Sequence, residues 1–137
     1  MKNGVGTIFL VPFSFFGLDK SKGSSKDANK TGKVVHKNIS PKQAKAIMDE
    51  GGPYKLVDVR TREEFRDSHI KGAVLIPVDE IASRAEAQLT DKNAVILVYC
   101  ASGARSTRAS KILADMGYIN VNNFGGIMNW PYDTVSG

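Results

Sequence analysis

The chain has 137 residues, 42% of them hydrophobic, which suits one domain with a packed core. Its single cysteine, Cys100, excludes an intramolecular disulfide framework and any multi-cysteine metal site. Residues 1–33 hold six lysines against Asp19 and Asp27, while residues 34–137 come to only +1 of the formal +5; a nucleic-acid-binding domain, which clusters charge on one folded face, is therefore not expected.

Two parts make up the N-terminal quarter. Residues 1–18 begin with a lysine and run apolar from Val5 to Leu18, broken by Gly6, Thr7, Pro12, Ser14 and Gly17. That run is short and interrupted for a transmembrane helix and fits the charged start and apolar core of a secretory signal. The FFGL tetrad resembles a lipobox, but Leu18 stands where a lipidated cysteine would be, and no clean A-x-A cleavage site follows. The next fifteen residues are polar and rich in Lys, Ser and Gly, the composition of a flexible linker. The expectation is an exported, periplasmic protein (cytoplasmic is the alternative) whose only membrane contact is this segment. Residues 34–137 are expected to form the domain.

Lys33 to Ile39 reads as a first strand. Ser40, Pro41 and Gln43 make a capping box with proline at the first helical position, opening a helix whose apolar face is Ala44, Ile47 and Met48 and which stops at Gly51-Gly52-Pro53. Tyr54 to Val59 is the next strand, with Asp58 and Arg60 at its C-terminal end, where open α/β sheets keep their ligand sites. Thr61 and Glu64 form a second capping box, opening a short helix expected to bury Phe65. Ala73 to Ile76 is a third strand. Val78 to Leu89 is a helix with Ile81, Ala85 and Leu89 facing inward. A short last strand is expected over Ile119 to Val121, followed by a helical turn opened by Gly125-Gly126 and carrying Trp130, which is read as a core lid. His36 is expected to be exposed.

The central stretch runs from Ala94 to Met116. Ala94 to Tyr99 is an apolar, β-branched-rich run of the kind buried in a parallel sheet. Cys100 stands at its end. A turn of small residues with Gly103 and Arg105 follows, then a helix with Ala109, Ile112, Leu113 and Met116 at helical spacing and Gly117 as its stop. Small residues let a short loop point its N–H groups inward at a helix N-terminus, a site for negative charge. A sulfur held there has its anion stabilised and its pKa lowered from about 8.5. Arg105 is placed either to aim its guanidinium at that spot or to fix the loop, and Ser102 and Ser106 offer hydroxyl donors. A free cysteine at a strand end is more often plain core; the CASGARS context reverses that preference.

CASGARS after an apolar strand resembles the active-site loop of the rhodanese-like sulfurtransferases. LVDVRTREEF (Leu56 to Phe65) and HIKGAVLIP (His69 to Pro77) resemble the family's two signatures, and GGIMNWP (Gly125 to Pro131) resembles its C-terminal GG-x-x-x-W. The four motifs fall in the family's order and cover residues 34–132. The resemblance implies a three-layer α/β/α fold with a five-stranded parallel sheet. It implies that Cys100 is the catalytic residue, that Ala101, Ser102, Gly103, Ala104, Arg105 and Ser106 form the substrate-binding loop, and that Asp58 and Arg60 lie near the loop and help hold it. For His69 it implies a hydrogen bond between loops rather than the role of base to Cys100.

The implied chemistry carries sulfane sulfur as a persulfide on Cys100. A small donor such as thiosulfate or polysulfide supplies it, and cyanide or a thiol accepts it, with no metal and no other cofactor. The alternative is a persulfide carrier serving a protein partner. Phosphatase and arsenate reductase relatives use C-x5-R loops, whereas Cys100 and Arg105 frame C-x4-R, which favours sulfur transfer. The few cations of the loop imply weaker binding of thiosulfate than of a neutral or longer donor. Redox sensing ranks lower, because the chain has no second cysteine to resolve a sulfenate. Nothing in the pattern sets an oligomeric state.

Overall fold

The computed structural model describes residues 35–137. The signal-like segment and linker expected over residues 1–33 lie outside the described residues. Strand β1 (Lys37–Asn38) leads into α1 (Pro41–Asp49), and β2 (Lys55–Asp58) into α2 (Arg62–Asp67). Strand β3 (Val74–Leu75) is followed by a 3-10 turn (Val78–Glu80) and α3 (Ile81–Gln88). Strand β4 (Ile96–Cys100) leads into α4 (Ala104–Asp115), and β5 (Val121–Gly126) ends in a 3-10 turn (Ile127–Asn129). The sheet has the order β1-β5-β4-β2-β3, and every pairing is parallel. This is the expected five-stranded parallel α/β fold.

Both capping boxes form. The Ser40 hydroxyl accepts from the Gln43 N–H while the Gln43 side chain accepts from the Ser40 N–H, and Thr61 and Glu64 reciprocate in the same way. Helix α4 ends in a complete Schellman motif. Tyr118 N–H donates to the Leu113 carbonyl and Gly117 N–H to that of Ala114, with Gly117 at φ +101°.

Alternation along the strands divides the core between the two faces of the sheet. Val57 and Val59 of the β2 segment, with Ile96, Val98 and Cys100 of β4, pack against Ile81, Ala85, Ala109 and Leu113 of α3 and α4. Leu56, Leu97 and Tyr99 face the other way, with Ala44 of α1, Ile70, Phe124 and Trp130. Trp130 is buried there, against Phe124, as the expected core lid. Cys100 therefore falls on the α4 face by parity, directly beneath the first turn of that helix.

Several boundaries differ from the sequence reading. Within the described residues β1 is only two residues long, and His36 is half-buried rather than exposed. Phe65 is also half-buried, stacked on the His69 ring at 3.7 Å. A short helix on the rim has no inner layer to enter, so its aromatic ring packs on a neighbour in chain. The helix expected over Val78 to Leu89 opens as a 3-10 turn, because Pro77 directs the chain in without a side-chain cap. The last strand is displaced: it runs Val121–Gly126, Ile119 is largely exposed, and Gly125-Gly126 belongs to the strand rather than to the turn. Asn122 and Asn123 are buried in it because their amides are bonded. Asn122 donates to the Ile96 carbonyl at 3.2 Å, and Asn123 donates to Asn38 and Thr107, both at 3.1 Å. Among the described residues no helix is long and apolar enough to cross a membrane.

Candidate active site

Cys100 is the last residue of β4 and only 1% exposed. Three residues, Ala101 to Gly103, separate it from α4, so Ala104, Arg105 and Ser106 form the first helical turn rather than a loop. Gly103 makes this tight entry at φ +122°, a backbone state that L side chains rarely adopt. Its N–H lies 3.0 Å from Sγ. The Ser106 hydroxyl lies 3.4 Å from Sγ and 3.0 and 3.1 Å from the carbonyl oxygens of Gly103 and Gly125. This hydroxyl has one proton and three acceptors in reach. Beside a thiol it accepts from S–H and donates to a carbonyl; beside a thiolate it turns its proton to sulfur.

Burial pushes the Cys100 thiol up, but the Ser106 hydroxyl and the N–H groups of Ser106, Gly103 and Ser102 outweigh it, and the pKa lies below the ordinary thiol value. Of the two serines, Ser106 supplies a hydroxyl to sulfur. Ser102 supplies only its backbone N–H.

The Arg105 guanidinium is turned to a carboxylate. It donates to both oxygens of Glu64 at 2.8 and 3.0 Å, tying α4 to α2 across the mouth of the loop. Arg105 holds the Glu64 carboxyl down to about 2, with the Thr61 backbone and hydroxyl adding to the effect against burial. Of the two placements open to Arg105, the structure therefore takes the one that fixes the loop. Glu64 is a site residue that the pattern did not single out, because its capping box already accounted for it.

Asp58 and Arg60 form a buried bidentate pair, 2.7 Å from the Arg60 Nη2 to the Asp58 Oδ2, and Nη2 also donates to the Ser68 carbonyl at 2.6 Å. Neither bonds to residues 101–106. Both reach the loop through Tyr99, which precedes Cys100: the guanidinium lies over its ring, 5.6 Å from the centroid. The Tyr99 hydroxyl accepts from the Ile70 N–H at 3.0 Å. Burial, followed by the charge of Asp58, pushes the Tyr99 hydroxyl well above its ordinary pKa, so it stays neutral. The His69 ring does not join two loops: Nδ1 lies 2.8 Å from the Phe65 carbonyl in the helix just before it, and the bridge to Val135 is made by the His69 backbone.

The far wall of the site is β5. Met128 N–H donates to the Ala101 carbonyl at 3.2 Å. A Cβ on Gly126 would land on that same carbonyl group and within 2.6 Å of the Ser102 Cα. The second glycine of GGIMNWP is thus required by the closeness of the loop backbone.

The Rhodanese-like domain family matches residues 40–132, more than half of the chain and all four motifs. The chain belongs to the rhodanese-like family. Among its relatives, the thiosulfate sulfurtransferase PspE of Escherichia coli is 38% identical over 81 residues, covering 59% of this chain and 78% of that protein. A putative sulfur carrier protein of Bacillus subtilis, YrkF, is 33% identical over 97 residues, covering 70% of this chain and 51% of that one. A solved structure of a rhodanese with anions from E. coli superposes with a TM-score of 0.59 at 36% identity, covering 62% of this chain and all of the other. Sulfur transfer, as a reaction class, follows for this rhodanese-like domain.

Proposed function

We propose that the protein is a single-domain sulfurtransferase that moves sulfane sulfur through a persulfide on Cys100. The observation that carries this reading is the buried Cys100 sulfur with the Gly103 N–H at 3.0 Å and the Ser106 hydroxyl at 3.4 Å, which stabilise its anion. With thiosulfate, the Cys100 thiolate attacks the outer sulfur, an S–S bond forms, and the S–SO3 bond breaks with its electron pair leaving on sulfite. The product is Cys100–S–S⁻. Cyanide or a thiol then attacks the outer sulfur and regenerates the thiolate. The N–H groups of the loop are placed to stabilise the charge on the persulfide. The steps as written draw on no metal and no organic cofactor. Gly103, Ser106 and Arg105 shape the loop, while Asp58 and Arg60 steady Tyr99 behind it.

Intact-mass spectrometry tests this directly. Incubation with thiosulfate or polysulfide is expected to add one sulfur atom, cyanide to remove it as thiocyanate, and Cys100→Ser to abolish the gain. No gain with either donor overturns the reading. The likeness to a putative sulfur carrier supports a second form of the same chemistry, in which the acceptor is a protein thiol. Loading by polysulfide but not by thiosulfate, with slow turnover to cyanide, would favour that form.

A further inference from the structure

The mouth of the site lies at the C-terminal edge of the sheet, and four guanidinium groups on the helices around it, those of Arg62, Arg84, Arg105 and Arg108, are each bonded to a carboxylate. Arg62, at the start of α2, and Arg84 of α3 share Glu80, at 2.9 and 2.8 Å. Arg108, one turn along α4, contacts Asp79 at 3.4 Å. Arg105, the one cation of the loop and within electrostatic reach of the Cys100 sulfur, is held in both N–H···O bonds by Glu64. That pair is only about one-third exposed, so water and salt screen it incompletely. A donor therefore meets a neutralised arginine with a carboxylate beside it.

The charge that converges on sulfur differs sharply between donors. Thiosulfate brings two negative charges to a thiolate, so three must share the transition state. A hydropersulfide brings at most one, and its protonated form none: Cys100–S⁻ attacks the terminal sulfur of R–S–SH, the S–S bond breaks with its electron pair leaving on the sulfur that carries R, and the products are Cys100–S–SH and RS⁻, with one negative charge throughout. Guanidinium charge that is already spent on Glu64 cannot offset the additional two charges of thiosulfate.

We propose that Glu64 is a specificity-determining residue for the sulfur donor, its carboxylate occupying Arg105 so that the site favours organic hydropersulfides over the thiosulfate dianion. The proposal rests on the sulfur-transfer reading above. It goes further by naming the donor class and the residue that selects it.

The test compares kcat/KM for thiosulfate with that for 2-hydroxyethyl hydropersulfide in the wild type, Glu64→Gln and Glu64→Asp. The glutamine oxygen can still accept from the Thr61 N–H, so the cap of α2 is retained. In Glu64→Gln the thiosulfate-to-hydropersulfide ratio is expected to rise about tenfold, the size of effect for one charge removed from a partly screened site. Added salt is expected to raise or leave flat the thiosulfate rate of the wild type, and to lower that of Glu64→Gln, where Arg105 is freed. Glu64→Asp, which keeps the charge, is expected to keep the wild-type ratio. An unchanged ratio in Glu64→Gln, or the same salt dependence in both proteins, overturns the assignment of Glu64 even when both donors load Cys100. If neither donor adds sulfur to Cys100 by intact mass, the sulfur-transfer reading fails and the assignment falls with it.

Discussion

At Cys100 the opposing terms are a burial that resists charge and a small set of donors that favour it. The Ser106 hydroxyl is the one side chain among those donors, so its removal has a defined sign. The alkylation rate of Cys100 with iodoacetamide should reach half its plateau below the pH of an ordinary thiol, about 8.5. Ser106→Ala should move that midpoint upward and slow alkylation at pH 7. An unmoved midpoint would mean that the backbone N–H groups alone hold the anion. Glu64 gives a second pH signature. Its carboxyl is held down to about 2, below the ordinary 4.5, so its contribution to stability is complete above about pH 4.5 and is lost as pH falls toward 2. The Tm difference between wild type and Glu64→Gln should therefore be largest near neutral pH and shrink through that acid window. Cys100 was legible in the sequence because strand, small residues and helix leave a visible pattern around it. Glu64 was not, because its pairing with Arg105 spans 41 residues of sequence and its capping role explained it locally.

Strand β5 shows why an element can escape a sequence reading and still decide a site. The segment VNNFGG carries turn-forming residues and little apolar alternation, the usual marks of a loop. In the sheet its two asparagines are buried with their amides satisfied, and its final glycine lies against the backbone of the loop after Cys100. Tertiary hydrogen bonds override the local preference, and no local pattern reports them. Gly126→Ala must push either β5 or the residues Ala101 and Ser102 aside. Overpacking of this kind costs about 1–3 kcal/mol, which chemical denaturation would register. Because the displaced group includes the peptide that orients the loop, persulfide loading by intact mass should fall more steeply than stability does. An alanine variant with wild-type loading would show that the loop has more room than this geometry gives it. By contrast, α1, α2 and α4 were legible from caps and stops, since those signals are local and the structure uses them as written.

For the whole molecule, strand parity sends the Cys100 sulfur to the α4 face and the Tyr99 ring to the opposite one, so the two halves of the core meet at the end of β4. The pair of Asp58 and Arg60 stands on the Tyr99 side, 0% and 4% exposed, and joins the end of β2 to Ser68 and to the Tyr99 ring. A buried ion pair can serve stability or position, and the two roles separate by mutation. Removing one partner leaves a charge buried without its counterion, at about 3–5 kcal/mol; replacing both by apolar residues of similar volume is often neutral or stabilising. Asp58→Asn should therefore unfold at markedly lower denaturant than wild type. The double variant Asp58→Leu, Arg60→Met should recover most of that loss. If the pair positions the site, the recovered protein will still load sulfur more slowly, because Tyr99 has lost the guanidinium over its ring and the Ser68 carbonyl has lost its donor. Recovery of both stability and loading would make the pair dispensable to the reaction. Recovery of neither would place its main contribution in the stability of the sheet.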